Sequence, residues 1–381
     1  MNKAKKANRI WINAGEVSGD LHGALLVKAL RRRASNVRCL GMGGSAMAEA
    51  GFQEEFNISE LSLLGLFEVL AHLPRVLGLM RRLYLRLKEE RPDAVVLIDS
   101  PDFNFFVARM ARRLGIPVYY YICPQVWAWR TGRVEFLKRF VRRVLCILPF
   151  EKPFLAAHGL DADFVGHPLM DQIPLDELDA VPRIKGRVGI LPGSRTREIE
   201  SLLPEFVAAA RRIKARLPEA SFALVRAPGV SEAKLAPYLP DDLEVEILPP
   251  EDRYRFMRQC EVILAASGTV TLETALLGTP TVVAYKISPL SYRIGRALVK
   301  VEFMSLPNLI LGEEAFPELL QEEVSGEAIA HKALAWLTDE AAMAAVHSRL
   351  ERLAGLVGEP GAPDRAVGII LDDLETLTAL N

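Results

Sequence analysis

Seven short, largely apolar runs punctuate this chain: Arg9–Ala14, Ala94–Ile98, Val118–Ile122, Val188–Leu191, Phe222–Val225, Val245–Leu248 and Val262–Ala265. They have the length of strands and lack the in-and-out alternation of a half-exposed sheet, so they read as strands buried on both faces. Helical patterns lie between most of them. Strand, turn and helix repeated in this way fold as a parallel sheet with helices on both sides. The runs form two series, separated by the Pro- and Asp-rich stretch Met170 to Lys185, where a linker is expected. A length of 381 residues suits two domains of roughly 150 to 200 residues better than one core. The expected architecture is α/β, two tandem Rossmann-like domains over 1–170 and 171–354 with C-terminal helices. The last of these, 355–381, is expected to pack back onto the first domain.

Charge divides the two halves. Residues 1–170 hold 25 Lys+Arg against 16 Asp+Glu, which leaves 22 against 32 for 171–381, although the whole chain has a formal charge of only -1. A basic half points to an anionic partner, whether nucleic acid, phosphorylated substrate or membrane. The basic start, Asn2 to Arg9, leads into only a short apolar run before Glu16, so no secretory signal is read and a cytoplasmic location is expected. Leu114 to Trp129, the longest uncharged run, is broken by Pro117 and Pro124 and is too short to span a bilayer. Cys39, Cys123, Cys146 and Cys260 show neither zinc spacing nor a disulfide framework and read as reduced, buried thiols.

The turns after the strands carry the chemistry. Asp99 should emerge at the carboxyl end of the run Ala94–Ile98, where open α/β sheets bind ligands. Its motif, Ile98 to Asn104, holds a second acid, Asp102, which reads as a cap for a helix starting at Phe103. After the first strand, Gly15 to Gly23 is a glycine-rich turn without dinucleotide spacing. There Glu16 and Asp20 offer acceptors to sugar hydroxyls, Ser18 or Asp20 could cap the helix, and His22 could titrate near neutral pH. Trp127 and Trp129 sit in a loop just past a strand, where they could wall a sugar or acyl site or pack under the sheet. In the second series, Gly193-Ser194-Arg195 and Ser267-Gly268-Thr269 open helices and suit phosphoryl oxygens. Glu273, one helical turn after Thr269, could accept from ribose hydroxyls. Asp161-Ala162-Asp163 matches a metal-holding pattern but reads as a surface turn, and no metal is expected. The apolar stretch Leu61 to Phe67 reads as core, and the basic, leucine-rich helical pattern Glu68 to Arg91 suits either a solvated face or a membrane surface.

Together Gly15 to Asp20, Ile98 to Asn104, Pro124 to Arg130, Gly193-Ser194-Arg195 with Glu198, Ser267-Gly268-Thr269 with Glu273, and Ser305-Leu306-Pro307-Asn308 resemble the bacterial lipid-A-disaccharide synthases over nearly the whole chain. The resemblance implies an inverting GT-B glycosyltransferase with a cleft between its domains. It would transfer 2,3-diacylglucosamine from UDP to the 6-hydroxyl of 2,3-diacylglucosamine 1-phosphate, without metal or organic cofactor. It further implies an acceptor domain, 1–170, lined by Glu16, Ser18, His22, Asp102, Trp127 and Trp129, with Asp99 as general base. The donor domain, 171–354, would hold UDP through Ser194, Arg195, Glu198, Ser267, Gly268, Thr269 and Glu273, with Arg195 also catalytic and Asn308 contributing. The implied partners are the two diacylated sugars and the anionic cytoplasmic face of the inner membrane, not nucleic acid; a homo-oligomer is left open. The rival readings are another GT-B enzyme of UDP-sugars, an epimerase or a different lipid glycosyltransferase, and a non-catalytic nucleotide-binding protein.

Overall fold

A computed structural model describes residues 9–62, 73–288, 292–293 and 301–380. In the first unit the strands are β1 (Arg9–Ala14), β2 (Arg38–Gly43), β3 (Gln53–Asn57), β4 (Ala94–Ile98), β5 (Val118–Tyr121), β6 (Arg143–Cys146) and β7 (Asp163–Phe164). They form one sheet in the order β3-β2-β1-β4-β5-β6-β7, with every pairing parallel. β1, β4 and β5 are buried along nearly their whole length, as apolar runs without alternation require. Trp11, Tyr119, Tyr120 and Tyr121 are fully buried among them.

The second unit repeats the plan with β8 (Arg187–Leu191), β9 (Ser221–Val225), β10 (Val245–Leu248), β11 (Val262–Ala266), β12 (Thr281–Tyr285) and β13 (Glu318–Leu320). Their order is β10-β9-β8-β11-β12-β13, again all parallel. The apolar face of helix Thr196–Arg216, from Ile199 to Ile213, packs on this sheet with Ile329, Ala330 and Ala333 of helix Gly326–Leu337.

The chain divides into one unit of Met1–Pro168 with Glu359–Asn381 and another of Leu169–Gly358. Helix Ala362–Leu380 packs against helix Val17–Arg33. It is fastened there by Asp373, which accepts from the Tyr119 hydroxyl at 2.6 Å and pairs with Arg142, and by Arg365, whose Nε donates to the Val165 carbonyl at 2.8 Å.

In each sheet the strand order reverses once, between β1 and β4 and between β8 and β11. Loops leaving adjacent strands at such a point turn to opposite faces and leave a crevice beyond the carboxyl ends. Ala14 is registered with Ile98, and Leu191 with Ala265. Gly15 and Asp99 therefore leave the first crevice side by side, and Pro192 and Ala266 leave the second. Of the stretches expected from sequence, Leu63 to Phe67 and Glu68 to His72 lie outside the described residues. The remainder of the second stretch forms helix Leu73–Glu90.

Candidate active site

The first crevice is built around strained backbone. Asp99 and Ser100 both have left-handed φ, 44° and 45°, a conformation that costs a non-glycine residue of order 1 kcal/mol or more and persists only where surroundings enforce it. The enforcement is visible. The Asn104 Nδ2 donates to the carbonyls of Asp99 at 2.7 Å and Ile98 at 3.0 Å, and the Tyr120 hydroxyl donates to Asp99 O at 2.7 Å. Asn13 Nδ2 in turn donates to Asn104 Oδ1 at 2.7 Å. Gly15 completes the cradle, because a Cβ there would lie 2.4 Å from Ser100 Oγ. Burial, reinforced by the charge of Glu16, pushes the Asp99 carboxyl up to about 6. A carboxylate so placed is available as a base near neutral pH.

Pinning this geometry is the evident task of Asn104. Replacing it, Asn104→Leu, takes the amide from the Ile98 and Asp99 carbonyls, the second of which keeps the Tyr120 hydroxyl, and leaves Asn13 Nδ2 without its acceptor, at about 1 to 3 kcal/mol for each unsatisfied group. Thermal unfolding beside the parent should show the loss as a lower midpoint.

Asp99, Asp102 and Trp129 line one cavity of about 240 Å³ with Pro101, Pro124, Gln125, Val126 and Arg133. Asp102 is not the cap expected from sequence. The helix begins earlier, at Pro101 with Ser100 in the cap position, because Pro is favoured in a helix's first turn. The Asp102 carboxylate pairs instead with Arg133, and with Arg130 at 3.6 Å. The two tryptophans divide the alternatives left open for them. Trp129 walls the cavity beneath the guanidinium groups of Arg130 and Arg133, 4.3 and 5.3 Å from its ring. Trp127 turns inward, donating to Glu151 Oε1 at 3.1 Å and meeting Phe150 edge-on.

Glu151 was not expected from sequence. It is 1% exposed, and its other oxygen accepts from the N–H groups of Ile147 and Leu148. Burial pushes its carboxyl up to about 7. Its signal was an acid closing the apolar run from Val144 to Phe150; the polar Asn13 inside β1 carried a similar one.

Glu16 and Ser18 are exposed at the start of helix Val17–Arg33, directly beyond β1. Neither Ser18 nor Asp20 caps that helix; Glu16 holds the cap position. Asp20 is buried and accepts from the N–H groups of Gly44, Ala46 and Met47 at 2.7 to 3.2 Å, so it caps the next helix and is not open to a sugar. His22 does not titrate near neutrality: burial pushes its imidazole down to about 4, and that of the buried His167 down to about 3.

In the second crevice, Arg195 holds the cap position of helix Thr196–Arg216. Its Nη1 donates to Glu198 Oε1 at 2.6 Å, and Glu198 Oε2 accepts from the N–H groups of Ser194 and Arg195 at 3.1 Å each. Glu198 thus shapes the turn from within. Gly193, at φ 99°, makes room for it, since a Cβ there would meet Glu198 Oε2 at 2.5 Å. Gly268 and Thr269 are exposed at the start of helix Val270–Leu276, where Thr269 occupies the cap position without a side-chain cap. Burial raises the Glu273 carboxyl, opposed by the charge of Arg253, whose Nε lies 3.8 Å away.

Asn308 differs from its expected place among the UDP-binding residues. It is fully buried, its Nδ2 donates to Phe316 O and Glu318 Oε1, and its Oδ1 accepts from the N–H groups of Ala315 and Phe316. Four bonds exhaust the amide, so Asn308 fastens the entry to β13. Asn308→Ala should therefore lower the unfolding midpoint, through unsatisfied groups costing about 1 to 3 kcal/mol each.

Among the described residues, no three His, Cys, Asp or Glu gather as a metal site. Asp163, from the metal-like pattern, opens β7 and pairs with Arg143 at 2.8 Å.

Two Rossmann-type units, each with its candidate residues at a topological switch point, define a GT-B architecture. Solved structures bear this out. A glycotransferase of kitacinnamycin aligns at TM-score 0.65 and 18% identity over 97% of this chain and all of that one. A UDP-GlcNAc 2-epimerase from Neisseria meningitidis, solved bound to UDP-GlcNAc, aligns at TM-score 0.60 and 11% identity over 97% and 99%. At such identities the likeness is one of fold.

Sequence comparison is more specific. A family model described as lipid-A-disaccharide synthetase matches residues 10–357. The lipid-A-disaccharide synthase of Geobacter sulfurreducens is 40% identical over 97% of this chain and 98% of its own length. That of Nitrosococcus oceani is 44% identical over 87% of each. The chain belongs to the lipid-A-disaccharide synthase family.

Proposed function

We propose that this chain transfers 2,3-diacylglucosamine from UDP to the 6-hydroxyl of 2,3-diacylglucosamine 1-phosphate, with inversion, releasing UDP. Family membership supports the reaction. The observation that carries the mechanism is Asp99, held by strained backbone at a switch point with its carboxyl raised to about 6. In this reading the first unit holds the acceptor and the second the donor. Asp99 takes the proton of the 6-hydroxyl as its oxygen attacks the anomeric carbon. The bond from that carbon to the diphosphate breaks on the opposite face, and one displacement inverts the centre.

The departing diphosphate keeps the electron pair of the broken bond and gains one negative charge. Arg195, with the N–H groups of Gly268 and Thr269, would stabilise it where a metal does so in other enzymes; the N–H groups of Ser194 and Ser267 are taken by Glu198 and by the Ala284 carbonyl. Glu273 would accept from the ribose hydroxyls. Trp129 and Arg133, beside Asp99 in the cavity, offer an apolar wall and a cation to a phosphorylated lipid sugar. An acceptor lacking the 6-hydroxyl should bind competitively and release no UDP; UDP release at the normal rate with that analogue would refute the assignment.

Membrane contact belongs to the same reading, on the cytoplasmic face of the inner membrane. Among the described residues no helix is long and apolar enough to cross a membrane. Helix Leu73–Glu90 exposes Leu77 and Leu85, 56% and 51%, beside exposed Arg81 and Lys88. Spacings of four, four and three put these residues on one face, a pairing of greasy and cationic groups suited to an anionic surface. Sedimentation with anionic vesicles should be strong at low salt and weaker at high salt, and absence of binding at both would count against it.

A further inference from the structure

We propose that Arg253 is a positioning residue for the donor nucleoside, holding the Glu273 carboxylate where ribose hydroxyls meet it and so selecting a ribonucleoside diphosphate. The inference rests on the reading of Glu273 as the ribose acceptor.

Arg253 opens helix Arg253–Gln259, which follows β10 through the short turn Pro250–Asp252; Glu273 lies in the helix after β11. The guanidinium is anchored from its own side: Nη2 donates to the Tyr254 hydroxyl at 2.6 Å, and the guanidinium carbon lies 4.3 Å over the Tyr254 ring. Its Nε is enclosed without a hydrogen-bond partner and faces Glu273 Oε2 at 3.8 Å. That separation matters. A cation at this distance favours the ionised carboxylate without taking its lone pairs in a bidentate bond, so both oxygens remain acceptors for a pair of vicinal hydroxyls.

The carboxylate needs this support because its side chain is only 12% exposed, and burial alone raises its proton affinity. Arg253 and the Tyr254 hydroxyl oppose that rise. Helices Leu306–Leu311 and Glu340–Val357 and strands β11 and β12 also pack against the Glu273 helix. Among the described residues, none of their ionisable groups acts on this carboxyl. Without Arg253, Glu273 would hold its proton to higher pH and turn from acceptor into donor on one oxygen.

The test is calorimetric binding of UDP and of 2′,3′-dideoxyuridine diphosphate to the full chain between pH 6 and pH 9. Arg253→Gln should weaken UDP roughly tenfold at the acid end of that range, leave the dideoxy nucleotide unchanged, and show a UDP deficit that narrows as pH rises. Arg253→Lys, which keeps the charge, should stay within roughly threefold of the parent. A loss falling equally on both nucleotides, a deficit indifferent to pH, or no loss at all would overturn the proposal. If Arg253→Gln does not fold, Arg253→Lys decides: a loss of tenfold or more shared by both nucleotides overturns it. Glu273→Gln reports separately. Should that variant bind UDP as tightly as the parent, the ribose reading itself fails, whatever Arg253 does.

Discussion

Asp99→Asn should lower turnover by roughly 10² to 10⁴ while UDP affinity stays near that of the parent, because in the proposed mechanism the change removes the general base and leaves the second unit intact. Asparagine is nearly isosteric and keeps the backbone carbonyl to which Asn104 and Tyr120 donate, so the strained turn should survive. The same residue sets a pH dependence. A base must be unprotonated to act, and the Asp99 carboxyl is raised to about 6 by burial and by Glu16. The specificity constant should therefore fall as pH drops through about 6 and level off above it. Glu16→Gln removes one of the two causes and should move the acid limb to lower pH. Near-normal turnover of Asp99→Asn, or an acid limb indifferent to Glu16, would remove Asp99 from the base's role.

Arg195→Ala carries the second large expected effect. Its guanidinium is held by Glu198 at 2.6 Å and is 82% exposed, so it is oriented at the surface. Loss of a donor aimed at a developing charge typically costs roughly 10² to 10³ in rate, and here donor binding should weaken too, because the ground-state diphosphate carries charge already. Steady-state rates with both substrates, together with UDP calorimetry, separate the two losses. A specificity constant unchanged by Arg195→Ala would place the leaving-group site elsewhere. Glu198→Gln is the companion variant: the turn keeps an acceptor for its N–H groups but loses the charge that orients Arg195, so an intermediate loss is expected.

Much of the architecture was legible because strands buried on both faces carry no alternation and announce themselves as apolar runs. Ala94–Ile98 and Val245–Leu248 could be bounded to the residue. Short or polar-edged strands such as β3 and β7 lack that signal, since their pairing is decided by neighbours in the sheet and not by local pattern. At the site, Asp99 could be found because a strand's end fixes where the next residue emerges. What sequence could not show is how side chains spend their hydrogen bonds. Asp20 looked like a ligand-facing acceptor and Asn308 was placed at the site by resemblance, yet Asp20 is consumed by backbone N–H groups distant in sequence and Asn308 by the turn into β13. His22 looked titratable, but titration depends on burial, which one chain position does not reveal. Asp102 looked like a cap, but the helix starts at Pro101, nearer to Asp99 than the expected Phe103. Glu151 and Arg253 escaped notice for the converse reason: their importance lies in partners brought to them by folding.

Product analysis tests the central claim most directly. The full chain is incubated with UDP-2,3-diacylglucosamine and 2,3-diacylglucosamine 1-phosphate, and the products are separated and their linkage assigned by NMR. The expected result is one β-1,6-linked disaccharide phosphate per UDP released, with neither product formed when the acceptor is left out. A free or epimerised hexosamine, or UDP released at the same rate without acceptor, would contradict it.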